Sequence, residues 1–186
     1  MNYRKMMIGL SAVSLALAAA SMAYAGNKAE AAEEDDNSSI PAAQIQIPAP
    51  PAGKGQIVFF RKGGLGGAAV ACSVHENGQK VSSLGGGRYF IMVTEPGRHE
   101  FTVASEAKDT LALEVEADET QFAQCKIKMG IMVGRPDIRP SSETEFRGMK
   151  KFKMVDADDM GPGPGALRPD EVKAALAAAA AAPAAQ

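Results

Sequence analysis

The stretch AAVACSVHENGQKVSSL, residues 68–84, carries the pattern that decides the fold. From Val70 to His75, apolar side chains occupy every second position, which is the period of a β-strand with one buried face. This run ends at Asn77-Gly78, the residue pair favoured in two-residue type I′ hairpin turns, and a second strand-like run follows. These residues therefore predict a β-hairpin.

The same period of two continues on both sides of this hairpin. QIVFFR at 56–61 and RYFIMVTE at 88–95 are apolar at consecutive positions, as expected of central strands that are buried on both faces. RHEFTVAS at 98–105 and LALEVEA at 111–117 alternate between apolar and polar residues. The chain thus predicts seven or eight short strands at roughly 8–12 residue spacing, the pattern of an antiparallel β-sandwich or barrel.

A glycine-rich segment between two of these strands has the outline of a dinucleotide-binding turn. Gly64, Gly66 and Ala69 fit the spacing G-x-G-x-x-A. Such a turn needs a helix directly afterwards, because the helix N-terminus holds the pyrophosphate. Here an alternating strand follows, and an acidic residue for the ribose is missing about 20 positions onward. The glycines are therefore interpreted as a bend between strands.

The N-terminus has the three parts of a secretory signal peptide, predicted over residues 1–25. Arg4 and Lys5 precede an apolar stretch, which ends before the cleavage motif Ala23-Tyr24-Ala25. A membrane-spanning anchor is the alternative, but the apolar stretch is shorter than the roughly 20 residues that cross a bilayer. Export to the periplasm or cell envelope is predicted, with no transmembrane anchor after cleavage.

Composition divides the remaining chain into a β domain at 53–155 and two flanks. The N-terminal flank, 26–52, is rich in Ala, acidic residues and Pro, and it is predicted to be a disordered linker. The C-terminal flank, 156–186, is a Gly/Pro/Ala-rich tail. In this tail, Pro169 and the acidic residues after it could open a short helix over 169–182.

Cys72 and Cys125 are the two cysteines of the chain. In the predicted strands each cysteine shares its face with apolar neighbours, so both sulfurs point inward. An oxidising compartment favours a disulfide between them, which would join residues 53 positions apart and add about 4 kcal/mol by loop-closure estimates. Two buried free thiols are the alternative.

The least ordinary surface feature is a basic cluster formed by Arg147, Lys150, Lys151 and Lys153. Several cations close together would attract anionic envelope polymers or lipid headgroups. Alternatively, the lysines protect an edge strand in MKKFKMV against aggregation. The whole chain has a net charge of −2, which does not indicate nucleic acid as a partner.

The sequence offers little support for catalysis, a metal site or a cofactor. Cys72 and His75 are three positions apart, so on a strand their side chains diverge. His99 is predicted to lie at the core margin, and the two histidines are too few for a structural zinc site. Met129 and Met132 are interpreted as core fillers, with a partner-binding surface as the alternative.

Three segments together resemble a bacterial envelope family, the domain of unknown function 2846. They are PPAGKGQIVFFR, VHENGQKVSSLGGGRYFIMVTEPGRHEFTV and CKIKMGIMVGRP, within roughly Pro50–Phe146. The resemblance implies an exported β-sandwich of immunoglobulin-like or transthyretin-like kind and no established reaction. Many members carry lipoprotein signals, but this chain has no cysteine after its apolar stretch to be acylated.

These observations favour a non-enzymatic β-sandwich module of the cell envelope that binds another envelope protein. Binding of an anionic polymer or lipid through the basic cluster is the second hypothesis. An envelope hydrolase or redox enzyme that uses Cys72 or His99 is the third.

Overall fold

A computed structural model describes residues 38–64, 70–104, 108–128 and 134–181 of the chain. The chain divides into two units, Met1–Glu34 and Asp35–Gln186, and all described residues belong to the second. The predicted signal peptide lies outside the described residues. So do Met129 and Met132.

The described residues form mainly strands, which confirms the all-β class. Two α-helices are present, α1 at Glu143–Arg147 and α2 at Pro169–Ala181, and two 3-10 helices cover Ala42–Gln44 and Ala157–Asp159. The strands in chain order are β1 Ile40–Pro41, β2 Gly55–Arg61, β3 Cys72–Glu76, β4 Gln79–Leu84, β5 Arg88–Thr94, β6 Gly97–Ala104, β7 Lys108–Val115, β8 Thr120–Lys128, β9 Arg135–Ser141 and β10 Lys151–Met154.

The strands form two sheets, as predicted for a β-sandwich. One sheet has the order β1-β10-β5-β2-β8-β9 and the other the order β4-β3-β6-β7. Most pairs are antiparallel, but β2 with β8 and β5 with β10 are parallel. The prediction that MKKFKMV is an edge strand is wrong, because β10 lies between β1 and β5 and is paired on both sides.

The hairpin that opened the sequence argument is present. Asn77 and Gly78 both have positive φ, 50° and 79°, which is the conformation of a type I′ turn. This turn joins β3 to β4 in antiparallel register. The first element described after the glycine-rich segment is therefore the strand β3, and not the helix that a dinucleotide turn requires.

The apolar residues between the two sheets form what we call the inner core. Phe59 stacks on Phe90 with ring centroids 4.8 Å apart and meets Phe101 edge-on at 4.9 Å. The disulfide between Cys72 and Cys125 joins β3 of one sheet to β8 of the other, which confirms the predicted pairing. The inner core consists of Ile57, Phe59, Cys72, Val74, Val81, Leu84, Phe90, Met92, Phe101, Val103, Leu111, Leu113, Val115, Ala123, Cys125, Ile138 and Val155.

A second cluster, the outer core, covers the opposite face of the six-stranded sheet. Alternation along β2 sends Phe59 to the inner core and Phe60 to the outer core, which explains why that strand is apolar at consecutive positions. Phe146 of α1 lies at the centre and contacts four other aromatic rings. The outer core consists of Ala42, Ile45, Val58, Phe60, Tyr89, Ile91, Phe122, Phe146, Phe152, Met154 and Val172.

The prediction of a disordered linker over 26–52 is wrong for residues 38–52, which pack on the sheet. β1 pairs with β10, and Ala42 and Ile45 are buried in the outer core. Pro48 accepts a hydrogen bond from Gln56 Nε2 at 2.7 Å. The physical reason is that the outer face of β2 and β10 is apolar and needs a cover, which the isoleucines of this flank provide.

The C-terminal flank also packs on the domain, so it is not a loose tail over its described length. The amide of Gly161 donates to Val81 of β4, and the amide of Leu167 donates to Ile91 of β5, both at 2.8 Å. The predicted helix is present as α2, and its Val172 is buried in the outer core. Both flanks thus extend the folded domain beyond 53–155.

Candidate binding site

A groove of about 330 Å³ opens on the outer face of the six-stranded sheet, between the N-terminal flank, β10 and α2. Pairing of β1 with β10 fixes one wall. Burial of Val172 fixes α2 as the other wall. We call this site the groove, and it is lined by Ser38, Ile40, Gln44, Ile45, Gln46, Tyr89, Phe152, Met154, Pro169, Val172, Lys173 and Leu176.

The groove is a mainly apolar surface with a few polar groups. Ile40 is 37% exposed and is the large hydrophobic side chain that the described residues leave most open to solvent. Burial raises the pKa of Tyr89 to about 12, so its hydroxyl stays protonated at neutral pH. Apolar walls with a few uncharged polar groups and the single cation Lys173 in the lining suit an apolar ligand or peptide side chain better than a highly charged ion.

Two members of the predicted basic cluster pair with neighbouring residues, and the other two are exposed. Arg147 Nε pairs with Glu143 Oε1 at 2.6 Å, and its Nη1 donates to the Ile45 carbonyl at 2.9 Å. Lys153 pairs with Asp156 at 3.1 Å. Lys150 and Lys151 are exposed. Two of the four cations therefore serve local contacts, and anion binding by the cluster stays a prediction.

The two residues proposed for catalysis have structural partners. Cys72 and Cys125 are bonded to each other and buried. His99 Nδ1 lies 2.6 Å from Glu76 Oε1, and its Nε2 lies 2.8 Å from the Glu95 carbonyl oxygen.

The Thr94 hydroxyl also lies 3.1 Å from His99 Nε2. These contacts tie the turn after β5 to the end of β3. The His99 ring also lies 6.2 Å from the Phe101 ring, at the margin of the inner core, as the sequence predicts.

Three carboxylates that the sequence argument did not single out lie close together after β10. Ligand atoms of Asp156, Asp158 and Asp159 are within 4.8 Å of one another. Asp156 also accepts from Arg88 at 2.8 Å and from Lys153. Burial acts to raise the pKa of Asp156, but the hydrogen bonds from Lys153 and Arg88 outweigh it and lower the pKa. This carboxylate is thus neutralised by its own chain, which weakens the trio as a metal site.

The groove was missed from the sequence because its walls come from the two flanks. The available signal was the spacing of Ile40, Ile45 and Ile47 within a segment that otherwise reads as a linker. Isolated isoleucines among prolines and alanines do not show which face of which sheet they cover.

Fold and site together define a β-sandwich domain with a doubly covered sheet and an apolar groove. Residues 51–136 match the model of the family described as Protein of unknown function (DUF2846), which confirms the predicted resemblance. The match ends before α1, β10 and α2. No curated protein and no solved structure matches the chain. No helix within the described residues is long and apolar enough to cross a membrane.

Proposed function

We propose that this chain is an exported, non-enzymatic module of the cell envelope, and that it binds another envelope protein through the groove. The observation that carries the proposal is the groove itself, in which Ile40 and Leu176 present apolar surface at an opening on the domain. Accessible apolar grooves with a few polar groups are typical binding sites for peptides and small ligands.

The occupant that fits is a short apolar segment of a partner protein. The aromatic and aliphatic walls would bury its side chains, and the Tyr89 hydroxyl can pair with one of its backbone carbonyls. Gln44 and Gln46 supply further amide donors and acceptors at the lining. A highly charged ligand would lose its hydration at this site without a matching set of countercharges.

The positions of the two candidate catalytic residues support a binding role. The cysteines hold the two sheets together, and His99 holds a turn. Catalysis by Cys72 would require the disulfide to open, and catalysis by His99 would require its contacts to Glu76 and Glu95 to change. Export rests on the leader-like pattern of residues 1–25 and agrees with a chain whose cysteines are paired.

A photo-crosslinking amino acid placed at Ile40 tests the groove in cells that express the full chain. We expect one discrete adduct with an envelope protein. The matched position is Ala112, which is exposed on β7 of the other sheet and should give no adduct. Equal adduct patterns from Ile40 and Ala112 would contradict the proposal.

A second pair of variants checks that the adduct reports on the groove. Leu176→Glu places a charge at the lining and should abolish the Ile40 adduct. Ala177→Glu, one residue further along α2 and exposed, should leave it intact. Mass spectrometry of the recovered protein should show a chain that begins near Gly26; a chain that retains its leader in the cytosol would contradict export.

A further inference from the structure

We propose a second binding site, for a phosphate or carboxylate group, in the cleft where β2 and β8 separate. This site is distinct from the groove and from the predicted basic cluster. It is formed by a buried arginine, two exposed lysines and the glycines that follow β2. It does not depend on the proposed partner of the groove.

Both lysines line the cleft that opens where the two strands stop pairing. The parallel β2–β8 ladder ends where Phe60 is opposite Gln124, while β8 continues to Lys128. Lys62 follows directly after β2, and Lys126 lies in the part of β8 beyond the ladder.

Lys62 and Lys126 line one cleft, so their like charges repel each other. Both lysines are exposed, and within the part of the chain that the structure describes neither makes an ion pair. Lys128, the next outward residue of β8, is paired with Asp137 at 2.7 Å. An anion between Lys62 and Lys126 would turn their repulsion into attraction to a shared partner.

Arg61 adds a fixed positive charge to the same cleft. Its side chain is only 3% exposed, and its Nη1 donates to the carbonyls of Val70 and Leu84. These contacts hold the guanidinium in place, so little rotamer entropy is lost when a ligand binds. Burial also lowers the pKa of Arg61, because the charged form is poorly solvated.

The cleft has room for a ligand and no described acidic side chain in its lining. Its volume is about 410 Å³, and the described residues that line it are Arg61, Lys62, Gly63, Gly64, Cys125, Lys126 and Ile127. The two glycines allow close approach to the backbone, which is a common feature of phosphate and carboxylate sites. Three cations on one cavity select an anionic group, and Arg61 favours a planar or tetrahedral oxyanion over chloride.

The test is an NMR titration of the protein recovered from cells that express the full chain, with inorganic phosphate and then acetate as probes. We expect saturable shifts of the amides of Gly63, Gly64 and Lys126. Removing both lysines as Lys62→Gln/Lys126→Gln should weaken binding on the order of tenfold, because each partly solvated ion pair contributes a few-fold in affinity. Shifts that rise linearly without saturation would overturn the site.

Two control variants separate this site from general surface charge. Lys128→Gln removes an exposed lysine of the same strand that does not line the cleft, and it should leave the affinity unchanged. Lys150→Gln/Lys151→Gln should also have no effect. An equal loss in either control would overturn the proposal, and a loss confined to Lys150→Gln/Lys151→Gln would assign anion binding to the basic cluster.

A sedimentation assay distinguishes a dissolved anion from a lipid headgroup. Vesicles of phosphatidylglycerol and phosphatidylcholine should sediment the wild-type protein, and not Lys62→Gln/Lys126→Gln, if the group belongs to a lipid. Saturable phosphate shifts without sedimentation would assign the site to a soluble anion. Sedimentation that is equal in wild type and variant, together with linear phosphate shifts, would contradict both forms.

Discussion

The inner core and the outer core occupy opposite faces of one sheet but are completed in different ways. The inner core is closed by a second sheet and a disulfide, and nearly all of it lies within the family match of 51–136. The outer core is closed by β1, α1, β10 and α2, which lie outside that match. One face of the six-stranded sheet is therefore covered almost wholly by residues within the family match. The other face is covered by segments outside the match, and these segments also form the groove.

The largest effects should come from truncating one central aromatic residue in each core. Phe59 and Phe146 are both fully buried. We expect Phe59→Ala and Phe146→Ala each to lower the free energy of unfolding by about 3–5 kcal/mol, the usual cost of such cavities. Urea denaturation measures both. A cost below about 1 kcal/mol for Phe146→Ala, beside a full cost for Phe59→Ala, would show that the outer core is not well packed.

Removing the disulfide should affect the inner core nearly as strongly. The bridge joins residues 53 positions apart, for which the loop-closure estimate is about 4 kcal/mol. We expect Cys72→Ala/Cys125→Ala to be destabilised by about 2–5 kcal/mol in thermal or urea unfolding.

Reductant supplies the control for the disulfide. It should lower the unfolding midpoint of the wild type and leave that of Cys72→Ala/Cys125→Ala unchanged. Identical wild-type midpoints with and without reductant would mean that the bridge adds no stability.

A smaller effect is expected where the C-terminal flank meets β4. A Cβ added at Gly161 would overlap the carbonyl oxygen of Lys80, so Gly161→Ala must displace the flank. We expect a loss of about 1–3 kcal/mol, as for other overpacked contacts. Gly86→Ala is the matched control, since its nearest neighbour would be the Gly63 Cα at 3.9 Å. Equal stability of the two variants in urea would indicate that the flank does not pack there.

The smallest effect concerns Asp156, at the junction of the sandwich and the C-terminal flank. Its lowered pKa means that the ionised carboxylate stabilises the fold above the unfolded value of about 3.9, and that this stabilisation is lost as the pH falls through the lower folded pKa. Asp156→Asn should lower the free energy of unfolding by about 0.2–1 kcal/mol at pH 7. It should have no effect at a pH below the folded pKa of Asp156, where the carboxyl group is protonated. Urea unfolding across pH 2–7 checks this, and a difference that does not change with pH would contradict it.

The inner core could be predicted from sequence because its signal is local. Alternation through VACSVH and FAQCKIK places the inward residues of these segments, including both cysteines, without knowledge of which strands pair. The parallel pairing of β2 with β8 was not predictable in this way, because strand order depends on contacts between distant segments.

The outer core could not be predicted because its cover has weak local signals. Ile40 and Ile45 lie among prolines and alanines, and the apolar character of α2 is mostly alanine. A clue for α1 was present in Ser142-x-x-Glu145, where the serine hydroxyl accepts the Glu145 amide at 3.2 Å. The groove is formed by several flank segments together, so no single sequence motif predicts it.

Hydrogen exchange of the C-terminal flank tests most directly whether the flanks belong to the folded domain. The amides of Gly161, Gly163 and Leu167 donate to backbone carbonyls of β4 and β5, each at 2.8 Å. We predict that these amides exchange as slowly as those of the outer strands of the sandwich. Exchange at the rate of an unstructured peptide would contradict the account and remove one wall of the groove.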